Sequence, residues 1–178
     1  METTYFENIL YAAYLIGELD WSKQFIALHK QYVNKAFYEK AYLLFSCQIL
    51  YKEKKYNEAL SRLEKIDFKG FAFALRKFTL RIQCIYEKYG NNASFPIEEL
   101  TEKFRHYVNG QKKQGNVGPL LQEKIKNTSS LVKKMTKVDH ITKYTQEYLT
   151  KELEKHKGKI LEEKWFARMI REIVYPRR

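Results

Sequence analysis

The chain has 178 residues, a hydrophobic fraction of 44%, fourteen Tyr and eleven Phe against seven Gly and three Pro, and a formal charge of +12. That length fits one ordinary domain, and long amphipathic runs with so few turn residues exclude a disordered chain and a turn-rich sandwich or barrel. No run reaches the roughly eighteen apolar residues of a spanning helix, and Glu7 breaks the apolar opening before it can resemble a signal peptide, so a cytoplasmic protein with no membrane role is expected.

Apolar residues at helical spacing begin at once, with Tyr5, Phe6, Ile9, Leu10, Ala13 and Ile16 on one side before Gly17 closes the segment. Asp20 is placed to cap a second helix carrying Trp21, Phe25, Leu28 and Tyr32. A third helix is expected over about 35–52 and a fourth, shorter one around Tyr56, Ala59, Leu60 and Leu63. A fifth, from about Phe71 to Tyr89, ends at Gly90, and Ser94 opens a sixth with Pro96 in its first turn. Gly110 to Gly118 is the most loop-like stretch; Pro119 then starts a seventh helix, and Asp139 is placed to cap an eighth that ends near His156. Gly158 separates it from a last segment with an apolar stripe of Trp165, Phe166, Met169, Ile170 and Ile173, suited to capping an array of helices or to self-association.

Gln48-x-x-Tyr51 returns as Gln83-x-x-Tyr86, and Trp21-x-x-x-Phe25-x-x-Leu28 returns as Tyr56-x-x-x-Leu60-x-x-Leu63, both thirty-five residues on. A period of that size marks stacked helical hairpins, each too small to bury its own apolar face. The segment Leu43, Cys47, Leu50, Tyr56, Ala59, Leu63, with the next helix from Phe71, resembles the tetratricopeptide repeat family in its order of large, small, large, aromatic, alanine and large residues. Cys47 and Ala59 are small where two antiparallel helices must approach. The later unit departs from the pattern at Ile82 and the earlier at Gln24, so the repeats are degenerate. With Phe104-Arg105-His106-Tyr107 and Glu163-Lys164-Trp165-Phe166, the layout resembles bacterial repeat proteins of the Bacteroidetes type, a likeness that implies a fold and no activity. The expected fold is thus all-α, a single right-handed superhelix of tetratricopeptide-like hairpins over 1–110 with longer basic helices and a capping helix over 111–178.

Signals for catalysis are poor: the chain has no glycine-rich phosphate loop, no nucleophile elbow and no two-histidine zinc motif. Cys47 and Cys84 lie in apolar helical contexts without metal-ligand spacing and are expected to be small buried hydrophobes of a reducing compartment. Glu99, Glu102 and His106 share a helix face, but no second cluster completes a ligand set. Neither an enzyme nor a cofactor is expected.

In tetratricopeptide arrays the first helix of each pair lines the concave side, and the resemblance puts Ala41, Leu44, Gln48, Tyr51 and Lys52 there, followed by Arg76, Thr79, Gln83, Tyr86 and Glu87. Steps of three, four, three and one residues place each set on one helix face. Amides that pair an extended backbone and tyrosines with a polar tip suit a peptide-holding surface; the alternative is that Tyr51 and Tyr86 simply pack between helical pairs. Residues 90–178 carry 19 basic and 11 acidic side chains, and from Gln111 to Val138 only Glu123 opposes Lys112, Lys113, Lys124, Lys126, Lys133, Lys134 and Lys137. Such a patch is either a solvated face or one that attracts acidic partners. The expected function is a non-catalytic scaffold for a protein or peptide, favouring acidic ligands. The runner-up is non-specific nucleic acid contact through phosphates, since residues 111–137 contain no aromatic side chain for bases to stack on.

Overall fold

The computed structural model describes residues 3–66, 70–138 and 143–173. Among them the protein is all-α, without a strand. It runs through α1 (Thr3–Ile16), α2 (Leu19–His29), α3 (Lys35–Lys52), α4 (Tyr56–Lys65), α5 (Phe71–Tyr89), α6 (Ser94–Lys113), α7 (Pro119–Thr136), α8 (Lys143–Lys155) and α9 (Glu163–Ile173), with 3-10 turns at Lys30–Tyr32 and Gly90–Ala93. No helix among the described residues is long and apolar enough to cross a membrane.

Local chemistry sets most of these limits. Asn34 caps α3, its Oδ1 accepting from the backbone N–H groups of Ala36 at 3.0 Å and Phe37 at 3.4 Å. Three helices close in the same way, with paired backbone bonds running back five and three residues onto otherwise orphaned carbonyls. These bonds are Glu18 to Ala13 and Gly17 to Tyr14 after α1, Lys55 to Leu50 and Lys54 to Tyr51 after α3, and Asn116 to Gln111 and Gly115 to Lys112 after α6. The motif needs a left-handed residue. Gly17 (φ 90°) and Gly115 (φ 75°) supply it without cost, whereas Lys54 (φ 59°) holds it against its own Cβ.

Two boundary expectations are corrected. Asp20 does not cap α2, because the helix has already begun at Leu19 and the Asp20 carboxylate pairs within the first turn with Lys23 at 2.8 Å. Gly110 lies inside α6, which runs on to Lys113 because the closing motif needs its left-handed glycine at Gly115; the connector is only Gln114–Gly118. The cap expected at Asp139 falls outside the described residues.

The helices form two compact units, residues 1–80 and 81–178, with the division inside α5. In the first unit α1 packs on α2 and α3, and α3 on α4. Cys47 on α3 and Ala59 on α4 are fully buried, the small side chains that let this helical pair close, with Leu63 filling the seam beside them. Aromatic contacts finish this core, with Phe6 stacked on Phe25 at 5.5 Å and Phe37 edge-on to Phe73 at 5.5 Å. Burial pushes the Cys47 thiol up to about 11. A thiol reagent at pH 8 is therefore expected to leave Cys47 and the equally buried Cys84 unlabelled until denaturant is added; rapid labelling of the native protein would show that these helices open.

In the second unit α6, α7, α8 and α9 pack consecutively. Flanked on both sides, α7 buries Ile125, Leu131, Val132 and Met135. Two of its three buried polar residues tie down the α8–α9 connector: Asn127 Nδ2 donates to the Lys159 carbonyl at 2.8 Å, and the Leu161 N–H donates to Thr128 Oγ1 at 2.9 Å. The apolar stripe of α9 is interior, with Trp165, Phe166, Met169 and Ile170 all buried.

Candidate functional site

In the first unit Gln48, Tyr51 and Thr79 are buried. Lys52 is exposed, with its ammonium 4.9 Å from the Tyr14 ring centroid, and the Arg76 guanidinium stands 4.8 Å from that of Tyr11. Tyr51 lies tilted against Tyr56 at 5.9 Å. Residues of α1 thus cover polar positions of α3 and α5.

In the second unit Gln83 and Tyr86 are buried, and the residues against them come from the C-terminal segment. Gln83 Nε2 donates to Glu162 at 3.3 Å, and the Trp165 ring meets Tyr86 edge-on at 5.7 Å. Glu87, whose side chain is 6% exposed, accepts from Trp165 Nε1 at 2.8 Å and pairs with Arg168 at 2.7 Å. Burial raises the Tyr86 phenol to about 12. These partners lie 78 to 81 residues away along the chain, beyond what a helical period can reveal; the one sequence signal was an indole and a guanidinium on the broad apolar stripe of the last helix.

The lysine patch is more nearly neutralised than its own stretch of sequence implies. Lys133 faces Glu102 at 3.5 Å and Lys137 faces Glu98 at 3.1 Å, both acids lying on α6, while Lys134 pairs with Glu152 on α8. The hydrogen bond to Glu152 raises the Lys134 ammonium above its ordinary value and lowers the carboxylate in turn. Lys112, Lys113, Lys124 and Lys126 have no acidic partner among the described residues, so the positive field narrows to these four.

Glu99 and Glu102 take lysine and arginine partners as well. Glu99 bonds Lys103, and Glu102 bonds Arg105 at 2.7 Å, which holds both carboxyls below the usual range. Among the described residues no group of three or more His, Cys, Asp or Glu is placed to hold a metal ion.

Between α6 and α7 lies a cleft of about 480 Å³. One wall is Thr101, Glu102, Arg105, Val108 and Asn109, and the other is Gln122, Ile125, Lys126, Ser129, Ser130 and Lys133. Both sets follow the spacing of a single helix face, so each wall is a continuous stripe. Val108 and Ile125 are buried and form an apolar floor. Glu102 spans the mouth, bonded to Arg105 on its own helix and facing Lys133 across the gap. Lys126, Asn109, Ser129 and Ser130 make no side-chain hydrogen bond or ion pair among the described residues and stand ready as donors. Lys126 and Lys133 belong to the sequence-predicted patch. Arg105 and the neutral donors do not, although polar residues recurring at 122, 126, 129, 130 and 133 beside a buried Ile125 were a readable signal.

Fold and site together define an all-α protein with a cation-bordered, apolar-floored cleft between two neighbouring helices. No protein-family model, curated protein or solved structure matches the chain.

Proposed function

We propose that the protein is a non-catalytic interaction module that holds an acidic segment of a partner protein in the α6–α7 cleft. In this proposal the helical pairs belong to a degenerate tetratricopeptide-like, right-handed superhelix, supported by the thirty-five-residue echo and by the small pair Cys47 and Ala59 between α3 and α4. The burial of Gln48, Tyr51, Thr79, Gln83 and Tyr86 moves the proposed contact surface away from those positions. One observation carries the choice of site: the cleft combines an apolar floor with three cations against one carboxylate, and keeps several donors uncommitted. Such a site supplies apolar contact area together with charge-assisted hydrogen bonds that fix orientation.

A labelled Asp/Glu-rich peptide should bind the full chain at low salt, weaken as salt rises, and lose at least tenfold affinity in Arg105→Glu/Lys126→Glu, with unchanged helical circular dichroism. Absence of binding at low salt would overturn the proposal. Lys112, Lys113, Lys124 and Lys126 favour nucleic acid as the second reading, and an oligonucleotide titrated alongside separates the two. Engagement of these four lysines by a single strand would give a log–log salt slope near about −3, whereas no shift at low salt removes that reading.

A further inference from the structure

Resting on the α6–α7 cleft as the partner site, we infer that the bound segment carries a phosphoryl monoester on a Ser or Thr side chain, seated between Arg105 on α6 and Lys126, Ser129 and Ser130 on α7. The charge count points that way. Arg105, Lys126 and Lys133 face one carboxylate, Glu102, leaving a surplus of two. A carboxylate ligand would neutralise half of it, whereas a phosphate monoester, close to a dianion at neutral pH, neutralises it fully.

The donors agree with the charge. A phosphoryl group presents three terminal oxygens to fill, and the cleft offers a planar guanidinium, an ammonium, two hydroxyls and the Asn109 amide. Ser129 and Ser130 lie between Lys126 and Lys133 on α7, so hydroxyls and ammonium groups converge on one stretch of wall. Among the described residues the Arg105 fork is held only by Glu102, through a pair whose side chains are 61% and 48% exposed. A pair so exposed is weak, and an entering dianion can take the guanidinium from it while Lys133, at 3.5 Å, closes on the freed carboxylate.

The shape selects a peptide over a free phosphate compound. The wall from Gln122 to Lys133 is about 16 Å long at the helical rise per residue, the span of about five extended residues. A head group alone would leave most of the trough, with its Val108 and Ile125 floor, unfilled.

The test is fluorescence anisotropy on the full chain with three probes: a phosphoserine peptide, the same peptide with Glu in place of phosphoserine, and inorganic phosphate as competitor. The expected result is binding of the phosphopeptide at least tenfold tighter than the Glu peptide, with phosphate competing only at far higher concentration. Arg105→Lys, which keeps the charge and loses the fork, should weaken both peptides but the phosphopeptide by the larger factor, and so narrow that preference. Equal affinity for the two peptides would overturn the phosphoryl inference and leave the acidic-segment site standing. Failure of both to bind would overturn the site itself. Inorganic phosphate competing as well as the phosphopeptide would overturn the peptide as the source of the phosphoryl group.

Discussion

Trp165→Ala is expected to lower the stability of the folded chain by about 4 kcal/mol, within the range for emptying a large aromatic site. The indole is buried, edge-on to Tyr86 at 5.7 Å and to Phe166 at 4.8 Å, so its removal opens a cavity bounded by two other rings. It also takes away the N–H that bonds Glu87, a carboxylate with 6% side-chain exposure, and leaves Arg168 to balance a nearly buried charge with less help. With an m-value of about 2 kcal/mol/M for urea, the midpoint followed by far-ultraviolet circular dichroism should fall by about 2 M. Trp165→Phe restores ring area without the N–H and should recover about half of the loss. A change below about 1 kcal/mol for the alanine variant would mean that α9 contributes little to the second unit.

Tyr51→Ala and Tyr86→Ala should each cost about 3 kcal/mol, as truncations of well-packed rings do, and thereby decide between packing and partner contact for these residues. Both are buried, at 7% and 6% exposure, and each touches another aromatic ring, Tyr56 or Trp165. A residue that only presents a surface to a partner would change stability by about 0.5 kcal/mol or less. The contact between Tyr86 and Trp165 adds a sharper check: a double-mutant cycle should give a coupling of about 1 kcal/mol. Near-neutral single variants would return these tyrosines to the partner-holding role.

How far the sequence reveals this molecule depends on the range of the interaction that sets each feature. The limits of α3, α5 and α7 were legible because Asn34, Gly90 and Pro119 act within a turn of their own position. Gly110 misled because a glycine signals a break only where the backbone must turn left-handed, and that need arises five residues later at Gly115. The lysine patch was legible as composition, but its neutralisation by Glu98, Glu102 and Glu152 was not, since those acids arrive from other helices. The cleft needed both walls. Each stripe is periodic on its own helix, and only the pairing of α6 with α7 makes a trough out of two polar faces.

Starting a helix is the unfavourable step and extending it is cheap. The nineteen residues of α5 form one ladder from Phe71 to Tyr89, so its turns share a single nucleus, and the amide hydrogens in its middle should exchange more slowly than those at its ends.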